Sequence, residues 1–521
     1  MRFSRTQRLL LFGLVNLLVF SFCSSGYITP NSLAETAEAE QAPPTAFFTS
    51  PTPTRYLSPT PSLTPEVSPT PSVEPSATPE QSPRPAPPVL YSVQAGDTRE
   101  AVALRFGVAP EEITSNQDIR GGLLTPGQLL VVPYRLGVTT PGEQIMPDSE
   151  VVFAPSSVDF NIRDFVTREG GYLASYQQYL PNDWHSGAEV VLRVAQHNSI
   201  NPRLLLSILQ YQSDWVSGQP RDERTENYPI GYIDVGSQAL NRQLIWAVKQ
   251  LSTGYYGWRN GSLTTLTFTD GITIRINPTL NAGSVAVQYL FSQLYDYEEW
   301  QFVIDPDVGF PFLHAFMFPD PVLRAAQYEP LYPASLEQPA LDLPFFSTQI
   351  WYYSSGPHGA WEREGAQAAL DFAPSSTETG CAPSNQWLTA MAAGTIVRTG
   401  VGTLVLDLDG DGFEQTGWVL VYLHVDYDGN FQVGDTVSQG QQLGHPSCLG
   451  GTSTGTHVHI ARKYNGEWIG AAGPIPFVLS GWAADWDGVS YQGRLLRDGD
   501  VVTACTCGNS ASRIARGAGD P

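Results

Sequence analysis

Two histidines stand one residue apart in "GGTSTGTHVHIARKYNGEW", residues 450–468. Side chains at i and i+2 of a strand share a face, so His457 and His459 would stand side by side. One imidazole can then bind a metal while its neighbour moves protons beside it. The plainer reading is two strand histidines exposed at a sheet edge. His358, His424 and His445 fall in the same C-terminal third, which therefore holds five of the eight histidines. Asp371 lies nearby in "AALDFAP". A catalytic zinc takes three protein ligands, usually His and carboxylate, and keeps a fourth position for water. Water held in that way loses its proton near neutral pH and becomes a nucleophile.

Strands must position these side chains. From about Phe345 the chain changes to short strand-like segments with Gly turns, which predicts an all-β, antiparallel domain over residues 346–500. Residues 392–398, 402–408 and 418–424 read as strands, and the last carries His424 at its end. The ordered segments "GPHG", "LDFAP", "AAGTIV", "YLHV", "VGDTVSQGQQLG" and "TSTGTHVHI" resemble the lysostaphin and LytM-type zinc metallopeptidases that cut peptidoglycan peptides. The resemblance covers roughly residues 358–468. It implies Zn2+ held by His358, Asp371 and His459. It makes His457 the general base or proton carrier, and gives His424 either oxyanion stabilisation or a share of that proton work.

One departure stands out. The family has three residues between the first His and the Asp, whereas twelve, "GAWEREGAQAAL", separate His358 from Asp371. Glu362, Glu364 and His445 are therefore alternatives to His358. The Gly356-Pro357 and Gly359 turn residues around His358 favour it, and His445 in "GHPSC" reads as a cleft-lining or structural residue. Cys381 and Cys448 lie in loops flanking the ligand segments, and a disulfide between them would hold those loops near the metal. With Cys505 and Cys507, three pairings are open. "DLDGDGFE", residues 407–414, starts like a calcium loop, but its twelfth position is Trp418 rather than Glu. An Asp/Gly hairpin turn explains it as well.

Residues 91–135 read strand, helix, helix, strand. Tyr91 and Val93 alternate, Gly96-Asp97-Thr98 turns and caps a helix that Gly107 stops, Pro110 opens a second helix, and residues 129–132 close as a strand. The Y-x-V-x-x-G-D-T opening, the F-G-V after the first helix, Asn116 and the P-G-Q-L-x-x-x-P ending resemble a LysM domain. That resemblance implies binding to N-acetylglucosamine chains of peptidoglycan or chitin.

Between the two, residues 156–345 predict a mostly α-helical domain after a linker at 136–155. Ser186 with Glu189 forms a capping box, and Asn201 caps a helix that Pro202 opens. Leu240, Leu244, Val248 and Leu251 make one apolar stripe, and Val285, Ala286, Tyr289 and Leu290 another. "INPRLLLSILQYQSDW" faintly resembles the catalytic helix of lysozyme-like lytic transglycosylases. Gln212 stands where the family has its acidic Glu, and an amide cannot deliver a proton to a glycosidic oxygen. This domain is expected to bind glycan or act as a spacer rather than cleave.

The ends set the compartment. Arg2, Arg5 and Arg8 precede an apolar run at residues 9–22, and Ser32-Leu33-Ala34 suits cleavage, so residues 1–34 read as an export signal. Cys23 follows bulky Phe22, where a lipid-modified cysteine would follow a small residue. Membrane contact is expected only if that segment stays uncleaved or lipidated. Residues 35–90 are a Pro/Thr/Ser-rich spacer, and 501–521 read as a tail. A formal net charge of -23 argues against a nucleic-acid partner, which needs a basic patch. The expected protein is multidomain: a small α/β LysM module, a helical middle domain and an all-β metallopeptidase domain. It would be a secreted or cell-envelope endopeptidase acting on peptidoglycan. A metal-free wall-binding or activator protein on the same folds is the rival.

Overall fold

The computed structural model describes residues 87–517, except 182 and 377, together with residue 520. The export signal and nearly all of the Pro-rich spacer lie outside the described residues. Among the described residues no helix is long and apolar enough to cross a membrane.

The N-terminal module pairs β1 (Val89–Ser92) antiparallel with β2 (Leu129–Val132). Between them lies α1 (Arg99–Phe106), whose cap Thr98 accepts from the Ala101 N–H at 3.1 Å. Gly107 ends α1 at φ 64, a left-handed conformation that glycine adopts freely. The second expected helix is a single 3-10 turn, Pro110–Glu112, because Ile113 turns extended and buries its side chain.

The middle domain is built from α2 (Ile162–Glu169), α3 (Gly187–Asn198), α4 (Pro202–Ser213), α5 (Leu240–Arg259), α6 (Ala282–Ser292) and α7 (Phe310–Met317). The local signals act as expected. Ser186 and Glu189 exchange hydrogen bonds across the start of α3, and the Asn201 side chain caps α4 with Pro202 at its first position. The α5 stripe of Leu240, Leu244, Val248 and Leu251 is fully buried. Residues 136–155 are not all linker. Val151, Val152 and Ala154 join the helical core. Asp148 accepts from the Gly283 N–H at 2.7 Å, in the first turn of α6. A carboxylate there satisfies an orphan helix donor, which ties the segment down.

The C-terminal domain supplies β3 (Ile350–Gly359), β4 (Gln367–Pro374), β5 (Gly394–Gly400), β6 (Thr403–Asp407), β7 (Trp418–Leu423), β8 (Thr436–Val437) and β9 (Val458–Tyr464). A smaller four-stranded sheet follows, β10 (Val478–Leu479), β11 (Trp482–Trp486), β12 (Gly493–Arg497) and β13 (Asp500–Thr503). Then β14 (Arg513–Ala515) returns to the main sheet. Its antiparallel order is β8-β5-β6-β7-β9-β4-β3-β14. Residues 501–521 are therefore not a free tail: β14 covers the edge of β3 and would otherwise leave its backbone donors unpaired.

The central strands read as continuous apolar runs because both faces are covered. Val405, Val419, Val421 and Ala461 pack into the core that the helices share. Leu404, Leu406, Leu420 and Ile460, their neighbours in period two, pack into the other core with the small sheet.

All three modules meet at Arg259, the last residue of α5. Its guanidinium reaches Glu467 at 3.0 Å and Asp148 at 2.8 Å, and it donates to the Ala95 carbonyl. Tyr255 and Tyr332 hydroxyls also donate to Glu467. From the N-terminal module, Arg105 pairs with Asp97 at 2.7 Å and donates to the Trp258 carbonyl at 2.8 Å. Removing the cation leaves two buried carboxylates without their partner. We expect Arg259→Met to cost about 3–5 kcal/mol, read as a drop in the chemical unfolding midpoint. The Arg259→Met/Glu467→Gln double variant should lose less than the two single losses added.

Candidate metal centre

Sheet register brings the chemistry together. His459 on β9 stands directly opposite Asp371 on β4, and also opposite Leu423 on β7, so His424 follows at the adjoining strand end. His457, two residues before His459, projects to the same side. The twelve residues between His358 and Asp371 are a hairpin: the end of β3, a connection at 360–366, and the first part of β4. Ser355 is opposite Asp371, but His358 rather than Pro357 is opposite Ala369. That one-residue bulge turns His358 onto the Asp371 face.

The resulting geometry is tight. Ligand-capable atoms of His358, Asp371 and His459 all lie within 4.8 Å of one another, and all three residues are buried. His358 Nε2 is 2.9 Å from Asp371 Oδ2, and His459 Nδ1 is 3.2 Å from Oδ1. Yet His358 Nε2 and Asp371 Oδ1 meet no partner in hydrogen-bond geometry. Buried polar atoms close together but not bonded to each other suit a cation between them. The donor set, two imidazoles and one carboxylate, matches zinc.

Backbone carbonyls settle the tautomers, since a carbonyl only accepts. His459 Nε2 is 2.9 Å from the Ala360 carbonyl, so Nε2 carries the proton and the Nδ1 lone pair faces Asp371. His457 Nδ1 is 2.7 Å from the Gly455 carbonyl, which leaves Nε2 bare and 3.7 Å from Asp371 Oδ2. His424 Nδ1 is 2.7 Å from the Leu449 carbonyl, which bares its Nε2 too. The His424 and His457 rings are 4.6 Å apart. Burial, and after it the neighbouring His457, push His424 down to about 4. For Asp371 burial pushes upward, but the neighbouring His358 and His457 outweigh it and hold the carboxyl well below its usual range. His424 sits at φ 64, strained for a side chain of this size. Its carbonyl is held by both the N–H and the hydroxyl of Ser447, at 2.8 and 3.0 Å.

The alternatives to His358 lie elsewhere. Glu364 pairs with Lys249 at 3.2 Å, His445 packs on Trp387 with ring centres 4.0 Å apart, and Glu362 is not in the cluster. Cys381 is bonded to Cys448 and Cys505 to Cys507. The first bridge sits beside the start of β9: Thr456 N–H donates to Gly380 and its hydroxyl to Ala382. Asp407, Asp409 and Asp411 lie together, but Asp407 already accepts from the backbone of Asp409 and Gly412. Glu414 is turned away into ion pairs with Arg398 and Lys463. Gln212 accepts from the Tyr295 hydroxyl at 2.8 Å. A second constellation, Ser207–His314–Glu150, copies the spacing of a nucleophile, base and carboxylate. All three are fully buried, so it serves as a packed polar network.

Sequence reasoning missed Tyr491, whose ring stacks on His358 at 4.7 Å between centroids and whose N–H donates to Pro357. It lies in the loop between β11 and β12 of the small sheet, more than thirty residues past the last motif, and no spacing rule points to it. The carbonyls of Ala360, Leu449 and Gly455 were equally invisible, because any residue supplies one.

A LysM-domain family model matches residues 91–133, so the N-terminal module is a LysM domain as its motifs predicted. A model of the LasA N-terminal domain matches residues 144–337. No curated protein matches the chain. Among solved structures it is similar to the M23 metalloprotease pseudoalterin from the deep sea, at 24% identity over 32% of this chain and 96% of that one, with a TM-score of 0.28. It is similar to the catalytic domain of lysostaphin from Staphylococcus simulans, at 24% identity over 23% and 87%, with a TM-score of 0.17. It is also similar to a zinc-containing peptidase from Vibrio cholerae, at 16% identity, with a TM-score of 0.17. There it covers 27% of this chain and only 39% of the other.

The cluster geometry makes a direct expectation. His358→Ala should empty the site of zinc, whereas His445→Ala and the Glu362→Ala/Glu364→Ala double variant should keep it. Zinc per chain, measured by elemental analysis, decides the matter; a full site in His358→Ala would move the ligand elsewhere.

Proposed function

We propose that this chain is an exported cell-wall hydrolase, a zinc-dependent endopeptidase that cleaves peptidoglycan peptides. The observation that carries the reading is the convergence of His358, Asp371 and His459, with His457 Nε2 3.7 Å from Asp371 Oδ2 and the His424 ring 4.6 Å from that of His457. An ordered set of motifs resembling lysostaphin-type peptidases supports it, and the LysM domain supports a wall glycan as the surface on which it works. Export rests on residues 1–34.

His358, Asp371 and His459 would hold the metal. Bound zinc supplies a Lewis acid that polarises a carbonyl and acidifies water. His457 then acts as general base: its Nδ1–H is committed to Gly455, so only Nε2 can accept a proton. His424 has the same tautomer through Leu449. A bare Nε2 cannot donate to an oxyanion, so the arrangement favours shared proton transfer over oxyanion binding. Ser453 and Gly455 keep the His457 ring in place: Ser453 Oγ is 3.3 Å and the Gly455 carbonyl 2.7 Å from Nδ1.

The test is zinc content together with product mapping on purified peptidoglycan. About one zinc per chain with new peptide termini supports the reading; a metal-free chain that yields no new termini would replace it with the binding-protein alternative. His457→Ala is expected to retain zinc and lose about 10²–10⁴-fold in turnover, the usual share of a positioned general base. Parental turnover in that variant would leave His457 a structural residue only.

A further inference from the structure

The connection at residues 360–366 touches two different things. Its first residue reaches the metal cluster, where the Ala360 carbonyl accepts the Nε2–H of His459 at 2.9 Å. The Ala360 N–H donates to the Ala366 carbonyl at 3.0 Å, so the two ends of the connection move together. The rest is seated on the helical domain. Trp361 stacks on His197, in the last turn of α3, with ring centres 4.0 Å apart and planes 22° from parallel. Gly365 lies so close to α5 that a Cβ there would come 2.6 Å from the Ser252 Cβ, and its φ of +91 also excludes one. Ala360 and Ala366 belong to the apolar core that the helices share.

We propose that the helical domain positions the metal-facing nitrogen of His459, acting through His197, Trp361 and the Ala360 carbonyl. The strand fixes where the His459 ring begins but not which way the ring is turned. The two ring orientations related by a half-turn about its terminal torsion exchange Nδ1 with Cδ2 and Nε2 with Cε1, so only one of them faces Nδ1 to the cluster. The Ala360 acceptor selects one of the two, as an outer partner of a metal-binding imidazole does. Nothing in the sheet ladder holds that carbonyl, because Ala360 lies beyond the end of β3. Its place is set by a loop packed on α3 and α5. This gives the twelve-residue spacing a purpose: a tight turn after His358 would not reach the helices. The Glu364–Lys249 pair adds little, being half exposed. His197, Trp361 and Gly365 are thus positioning residues for the proposed zinc site, and the inference rests on that reading only for its metal arm.

The experiment uses the full chain labelled with 15N-histidine. The His459 Nε2–H resonance is assigned by its loss in His459→Ala. In the parent and in His197→Phe, which keeps a stacked ring, this proton should exchange slowly with water. In His197→Ala and Trp361→Ala it should exchange at least about tenfold faster. Zinc affinity by chelator competition should fall about 10–100-fold, the range for outer-shell partners, and the absorption of the cobalt-loaded chain should shift. Should an alanine variant fail to fold, His197→Gln, which keeps polar bulk without the stacked ring, carries the same comparison. Unchanged exchange in His197→Ala and Trp361→Ala, or His197→Phe behaving like His197→Ala, would overturn the proposal. A parent chain that binds no metal would sink the enzyme reading instead, while the Nε2–H comparison still decides this one.

Discussion

Everything at the candidate site depends on one register, His459 opposite Asp371. Side chains on a strand alternate, so a slip of one residue between β4 and β9 would send Asp371 to the opposite face. An apolar far side holds that register. Leu370, Phe372, Val458 and Ile460 are apolar and buried in the core on the far side. Slipping either strand by one residue would bury its polar side chains there, Asp371 from β4 or His459 from β9, and turn that strand's apolar pair out of this core. The bulge in β3 then completes the set by adding His358 to the face that the register has chosen. A metal site made of three side chains on three adjacent strands depends on correct pairing of strands far apart in sequence.

The chosen face is the one the helices cover. Ala461 on β9 and Ala369 on β4, on the same side as His459 and Asp371, belong to the core shared with α3 to α6. The helical domain is therefore a second layer on the sheet, and the site lies where that cover ends. Burial on both faces explains why "TLVLD" and "WVLVYL" show no polar alternation. It also explains how Lys463 and Glu414 come to be buried: they pair with each other at 3.3 Å, beneath the helical layer.

How much of this could be read beforehand follows from the range of each interaction. Caps and stops are local, and Thr98, Gly107, Ser186 with Glu189, and Asn201 with Pro202 behave as their types demand. The five candidate site residues were legible because motif order survives in sequence even when its spacing changes. Their geometry was not, since the bulge at His358 leaves no mark beyond the glycines around it. Module boundaries were the weakest part. Residues 144–155 and 513–515 are polar or short enough to read as linker and tail, and only tertiary pairing with α6 and β3 makes them part of the fold. Tyr491 belongs with them: an aromatic residue in a loop says nothing until its partner is known.

The junction at Arg259 bears on what the LysM domain can contribute. A module on a free linker raises local concentration, and its effect depends on linker length. This one is joined by buried contacts: Arg105 to the end of α5, and Arg259 back to Ala95. Its glycan surface would then stand at a fixed offset from the metal centre. Under the proposed function, binding a glycan strand would restrict which stem peptides the site can reach, as well as holding the enzyme at the wall. The same rigidity links the two cores. Glu467 follows directly on β9, and the cation that neutralises it comes from the helix that also seats the 360–366 connection. The helical domain therefore stands between glycan and peptide as a structural part of both contacts, and α5, which touches all three modules, is the element through which strain in one would reach the other.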